Sequence, residues 1–195
     1  KWEKYKKLNN KYEYIYTSSN KSRNISNVNP ISRSYFKLHE IIHDFNIYNF
    51  TLSSCIAEGP GGFINCLLDH KVKEVHGITL LTNDKKIPYW NNGLIKNENV
   101  HINTSQNTGN IYMKDTAIEF ISIIHTKGLS DLVTADGGFD YSNDFNKQEI
   151  SSYKLIYCEI FIALNIQNEG GNFIIKVFDM FHHNTIQLLY LLYLS

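Results

Sequence analysis

From Ser32 onward the chain alternates helix-length amphipathic segments with short apolar runs, and few architectures accept that alternation. Tyr35, Leu38, Ile41 and Ile42 share one helical face, with Ser32 placed to cap it. Phe50 to Ala57 reads as a buried strand, followed by a Gly/Pro-rich turn, a short helix from about Phe63 to His70, and a second strand from Val72 to Leu80. After a polar loop over 82–99, Val100 to Asn103 is a third short strand. Lys114 to Thr126 is a helix with Ala117, Phe120, Ile121 and Ile124 on its stripe. Asp131 to Ala135 is a short buried strand. Lys147 to Leu164 is a long helix, predicted to pack through Ile150, Tyr153, Tyr157, Ile160, Phe161 and Leu164. Asn172 to Phe178 is the last strand, and the chain is helical again from His183. Strands separated by helices do not pair as hairpins, so the pattern predicts an α/β fold: a mainly parallel sheet with helices on both faces. Ligands of such sheets sit beyond the carboxyl ends of the strands, where the strand order reverses.

A length of 195 residues suits one domain. The formal net charge is zero, which excludes an argument for a polyanionic partner from the total. The distribution is less even. Residues 1–30 carry Lys1, Lys4, Lys6, Lys7, Lys11, Lys21 and Arg23 against Glu3 and Glu13. We expect a basic, polar, partly disordered arm over 1–30, suited to nucleic acid or simply solvated, and a folded domain over 31–195. Three cysteines without a C-x-x-C, Cys55 and Cys158 lying in apolar runs, suggest a reducing, intracellular setting. No signal peptide is legible, and the apolar stretch Ile186–Leu194 is too short to span a bilayer. The chain ends inside an apolar helical pattern, as a piece cut from a larger domain would.

Several motifs fall on the predicted strand ends. Glu58-Gly59-Pro60-Gly61-Gly62-Phe63 lets backbone approach a ligand closely. It is neither G-x-G-x-x-G nor G-x-x-x-x-G-K-S/T, which disfavours nicotinamide cofactors and ATP. Thr134-Ala135-Asp136-Gly137-Gly138-Phe139 puts a carboxylate and two glycines at a strand end, a pattern that a plain turn also explains. Lys176 interrupts the apolar run Phe173–Phe178, where an interior lysine is costly unless paired or neutral. His39-Glu40-Ile41-Ile42-His43 matches H-E-x-x-H, a zinc-peptidase pattern. No third ligand follows at the required spacing, so no metal is expected and both histidines read as ordinary helix residues.

Taken together, Ser32–Ile41, the Glu-Gly-Pro-Gly-Gly-Phe loop, Thr134–Phe139 and Gly170-Gly171-Asn172-Phe173-Ile174-Ile175-Lys176 resemble the FtsJ/RrmJ-type RNA ribose 2′-O-methyltransferases. The likeness is closest to the cap-specific mRNA branch of eukaryotes and large viruses. The resemblance implies a Rossmann-like methyltransferase fold, S-adenosylmethionine as cofactor, and a Lys-Asp-Lys-Glu tetrad. Lys37, Asp136 and Lys176 match its first three members. The fourth, a glutamate, and the last edge strands of the sheet would lie beyond Ser195. Cofactor contacts are expected from Glu58, Gly59, Pro60, Gly61, Gly62, Phe63, Thr79, Asn110 and Asp136. Asn110 replaces an aspartate of the family pattern, and no acidic residue stands directly after Gly77-Ile78-Thr79-Leu80.

In-line methyl transfer needs an aligned hydroxyl stripped of its proton. Lys176 is the expected base, which requires a neutral amine. Lys37 is the expected second cation, and Asp136 steers Lys176. The implied partner is RNA, expected to be capped mRNA, in nucleus, cytoplasm or a viral factory. The alternatives are an inactive methyltransferase-like module that binds RNA or a partner, and the zinc peptidase. Tyr89-Trp90 in the polar loop either stacks on a base or anchors the loop.

Overall fold

In a computed structural model, residues 25–84, 87–139 and 147–195 are described. Most of the basic N-terminal arm therefore lies outside the described residues. Five strands form one sheet: β1 (Leu52–Ile56), β2 (Glu74–Ile78), β3 (Val100–Asn103), β4 (Ser130–Ala135) and β5 (Gln167–Ile175). Their order is β3-β2-β1-β4-β5, and every pair is parallel. The α/β fold expected from the alternation is the one observed. The helices are α1 (Ser34–Asp44), α2 (Gly62–Asp69), the short α3 (Asn92–Ile95), α4 (Lys114–Lys127), α5 (Gln148–Ile166) and α6 (His183–Leu194).

The two faces of the sheet carry separate cores. On one side Leu38 and Ile42 of α1 pack with Ile64, Cys66 and Leu67 of α2 and with Trp90 and Leu94. On the other, Phe120 and Ile124 of α4 pack with Ile162, Ala163 and Ile166 of α5 over Ile56, Ile78 and Val133. A parallel sheet covered on both faces has strands that are apolar throughout, and all five residues of β1 are buried. Its serines are accommodated by pairing, as where Ser54 Oγ meets Ser130 Oγ at 2.7 Å.

Three expectations need correction. The predicted core stripe of α5 holds only at Ile160, which is buried: Ile150, Tyr157, Phe161 and Leu164 are exposed. The buried residues are Glu149, Ser152, Leu155, Ile156, Glu159, Ile160, Ile162, Ala163 and Ile166. This helix is apolar nearly all round, so its periodicity selects no face, and Glu159 disguised the buried one as a solvent side. Ser32 does not cap α1 through its side chain. Its hydroxyl meets Ser34 Oγ, and its carbonyl accepts the Tyr35 N–H. Cys66 is buried, whereas Cys158 is only half-buried. Among the described residues no helix is long and apolar enough to cross a membrane.

Candidate active site

The chain runs from β1 out to β2 and β3, then returns to β4 on the opposite flank of β1, so the strand order reverses between β1 and β4. The loops that leave these two strands diverge there and open a cleft. The cleft has a volume of about 500 Å³ and is walled by Ala57, Gly59, Thr79, Leu80, Gly109, Asn110, Ile111, Tyr112, Gly137, Gly138, Phe139 and Leu155, among others. That size suits a nucleoside-sized ligand.

The β1 loop runs from half-buried to buried residues. Ala57 takes a left-handed backbone (φ 55°), which turns the chain out of the strand. Gly59 donates its N–H to Thr79 Oγ1 at 3.3 Å, tying the loop to the end of β2. Glu58 is buried beneath, and its Oε1 accepts the Phe63 N–H at 2.7 Å, one of the otherwise unpartnered donors at the start of α2. Burial pushes the Glu58 carboxyl up to about 8 against those N–H bonds. Gly61 (φ 108°) faces Leu94 and Trp90, Gly62 faces Ser32 and Ser34, and Phe63 is in the core. Of the residues expected at the cofactor, then, Gly59, Thr79 and Asn110 stand on the cleft wall. Glu58, Pro60, Gly61, Gly62, Phe63 and Asp136 are outside that lining, and the first five shape the loop.

Three charged groups converge at the lip. Lys176 Nζ lies 3.0 Å from Asp136 Oδ1 and donates to the Asp136 carbonyl at 2.8 Å. Lys37 Nζ, from α1, is 3.5 Å from the same Oδ1. Asp136 is largely buried and Lys37 is largely exposed. The Phe178 ring covers Lys176 Nζ at 5.2 Å from its centroid. Lys176 was expected inside a strand. It stands one residue past the end of β5, its N–H on the Ala135 carbonyl, and is half-buried. That position carries its amine to the strand-end rim rather than into the sheet.

Sequence reasoning missed the support behind Asp136. The Gly137 N–H donates to Glu159 Oε1 at 3.2 Å, and a Cβ on Gly137 would fall 2.3 Å from that oxygen. Burial raises the Glu159 carboxyl to about 8. Among the described residues its Oε2 has no partner. A carboxyl raised this way keeps its proton in the folded state while the unfolded chain ionises. Stability is then fully present below about pH 4.5 and is lost as pH rises toward 8, by about a few kcal/mol. Glu159→Gln, which keeps the acceptor for Gly137, is expected to make that decline shallower, the share owed to Glu58 remaining. Denaturant midpoints at pH 6 and pH 8 read it; parallel declines in both proteins would contradict it. Asp84, on the polar loop after β2, also lines the cleft and brings a carboxylate to the side where Leu80 supplies none. In that loop Trp90 is buried and Tyr89 exposed, so the tryptophan is the anchor. His43 points to solvent beside Asp44, and His39 turns to His70, so the H-E-x-x-H histidines do not converge.

A family model for the FtsJ-like methyltransferases matches residues 30–195. The chain belongs to this family. It is 30% identical over 190 residues to the cap-specific mRNA (nucleoside-2′-O-)-methyltransferase 2 of Danio rerio, covering 87% of this chain and 25% of that protein. It is 32% identical to the cap-specific mRNA (nucleoside-2′-O-)-methyltransferase of Autographa californica nuclear polyhedrosis virus, covering 80% of this chain and 60% of that one. This FtsJ-like chain thus spans between a quarter and three-fifths of the length of these curated relatives. A ribosomal RNA methyltransferase from Plasmodium falciparum shares the fold, with a TM-score of 0.57, 22% identity, and 82% and 84% of the two chains covered.

Proposed function

We propose that this chain carries the catalytic centre of an RNA ribose 2′-O-methyltransferase that acts on a cap-proximal nucleotide with S-adenosylmethionine as donor. The observation that carries the reading is the shared grip of Lys37 and Lys176 on one oxygen of Asp136, at the lip of the cleft. The residues present fit such a donor. Leu80, Ile111 and Leu155 offer apolar walls for a base, and Asn110 and Asp84 offer polar groups at its edges. At Gly109 a Cβ would strike the Thr79 carbonyl, so backbone alone forms that stretch of wall. When bound, S-adenosylmethionine supplies a methyl group on a sulfonium centre.

Asp136 has two tasks in this reading. It orients Lys176, and it sets a negative charge where a cationic donor centre would sit. Lys176 is placed to take the proton of the ribose hydroxyl onto Nζ. Lys37 is placed to stabilise the alkoxide as it develops. The chain's remaining contribution is alignment, which can supply roughly 7–11 kcal/mol of the barrier. The names of the Danio rerio and Autographa californica nuclear polyhedrosis virus relatives support a cap-proximal acceptor over other RNAs.

The test is transfer of labelled methyl from S-adenosylmethionine to short capped RNA, uncapped RNA of the same sequence, and capped RNA with 2′-deoxyribose at its first two nucleotides. Label is expected on the first alone. Equal labelling of the deoxy substrate would place the acceptor elsewhere, and absence of both transfer and donor binding would defeat the proposal.

A further inference from the structure

The histidine of the H-E-x-x-H stretch that turns away from its partner meets a different pair. His39 Nδ1 lies 3.2 Å from His70 Nε2, the residue that ends α2. Cys66, one turn earlier on α2, is buried, and its Sγ and the two imidazole nitrogens all lie within 4.8 Å of one another. We propose that His39, Cys66 and His70 bind a thiophilic divalent cation, with zinc the best fit, which fastens α1 to α2.

The chemistry of the donors selects the ion. One thiolate and two imidazoles suit zinc and disfavour magnesium or calcium, which take oxygen ligands. Tetrahedral zinc with bonds of about 2.05 Å holds two nitrogens about 3.3 Å apart, close to the separation already present. Cys66 and His70 are four residues apart on one helix, so both project from the same face. His39 comes from the helix packed against it. Both imidazoles are held in place: His39 stacks on Tyr35 at 5.9 Å, and Tyr48 lies 6.2 Å from His70. The Asp69 carboxylate, fixed by the Tyr35 hydroxyl at 2.8 Å, adds negative charge beside the site. Because His39 is exposed, a fourth position opens to water. Binding expels the Cys66 thiol proton and forms a metal–sulfur bond.

A second histidine cluster makes a useful contrast. Glu74 Oε1 faces His76 at 2.8 Å and His101 at 3.5 Å, but Lys127 Nζ also stands 3.6 Å from it. That carboxylate already has a cation, so the group reads as a charge network. No lysine intrudes in this way on the ligand set of Cys66, among the ion pairs of the described residues.

The site is independent of methyl transfer and lies on the helix that carries Lys37, two residues before His39. The test uses the tag-free chain, stripped with a chelator and titrated with zinc against a chromophoric zinc indicator. One zinc per chain is expected, with a higher thermal midpoint on loading. Cys66→Ser, His70→Ala and His39→Ala should each weaken binding by about 100-fold or more, while His43→Ala and Cys158→Ser leave it unchanged. Cobalt should give a thiolate charge-transfer absorption that Cys66→Ser abolishes. The proposal is overturned by no saturable zinc uptake, by uptake that survives His39→Ala, by loss in His43→Ala, or by binding without thermal stabilisation. His39 is exposed, so its substitution keeps the test decisive even if Cys66→Ser does not fold.

Discussion

Lys176→Arg is expected to abolish methyl transfer as completely as Lys176→Met, a fall of about 10²–10⁴ in kcat. The pair of substitutions separates two roles of the amine. Arginine keeps the positive charge opposite Asp136 but remains protonated at any working pH, so it cannot take a proton from a hydroxyl. If Lys176 merely neutralised Asp136, the arginine variant would keep most of its rate and only the methionine variant would fail. Because Nζ sits at the lip and not on the cleft wall, donor affinity should change by no more than a few-fold in both. Single-turnover transfer and equilibrium donor binding, measured side by side, read the two quantities. A Lys176→Arg protein above a tenth of the wild-type rate would remove Lys176 as the base.

Gly109→Ala is expected to be the most damaging small substitution around the cleft. Gly109 has φ 56°, and an added Cβ would fall 1.9 Å from the Thr79 carbonyl oxygen and 2.9 Å from its carbon. A left-handed non-glycine residue costs about 1–2 kcal/mol by itself. The clash adds to this, because its target is backbone and cannot rotate away. That backbone is also pinned: the Leu81 N–H donates to the Thr108 carbonyl at 2.6 Å. Separating the two segments would spoil the wall shared by Thr79 and Asn110. We expect a loss of about 3 kcal/mol or more in denaturant unfolding, and weaker donor binding. Gly170→Ala is the matched control, since Gly170 also has positive φ (74°) but nothing within 4 Å of its Cβ position. It should cost only the backbone term. Equal losses in the two variants would show that the contact with Thr79 is not what demands glycine.

The order of elements was legible because alternation of strand and helix survives short apolar runs and imprecise boundaries. The residues that meet at the lip were legible in another way. Lys176 stood out alone as a lysine in an apolar run, whereas Lys37 and Asp136 are ordinary in isolation and only the joint resemblance to a known family singled them out. What stayed hidden depends on packing. Glu159 reads as a surface residue until α5 is docked, because a carboxyl in a helix normally faces water. Gly109 reads as a plain loop glycine until the end of β2 lies across it. Asp84 sits in a polar loop whose path no periodicity describes. The glycine loop was recognisable as a motif, yet the motif does not say which of its atoms face the cleft. Only the folded chain separates Gly59 from the Gly61 and Gly62 that support it.

The pairing of β4 with β5 carries an irregularity whose effect reaches the lip. Between the pairs Ser130–Gln167 and Leu132–Asn172, β4 advances two residues while β5 advances five. The surplus contains Gly170 and Gly171, and after it the match runs unbroken to Ala135–Ile175. Side chains of a strand alternate sides with each residue, so an odd surplus reverses which of them look up and which look down. The looped-out glycines therefore act as a phase setter. They decide, from a distance and with no side chain of their own, that the amine arriving after Ile175 stands on the same side as the carboxylate it must meet.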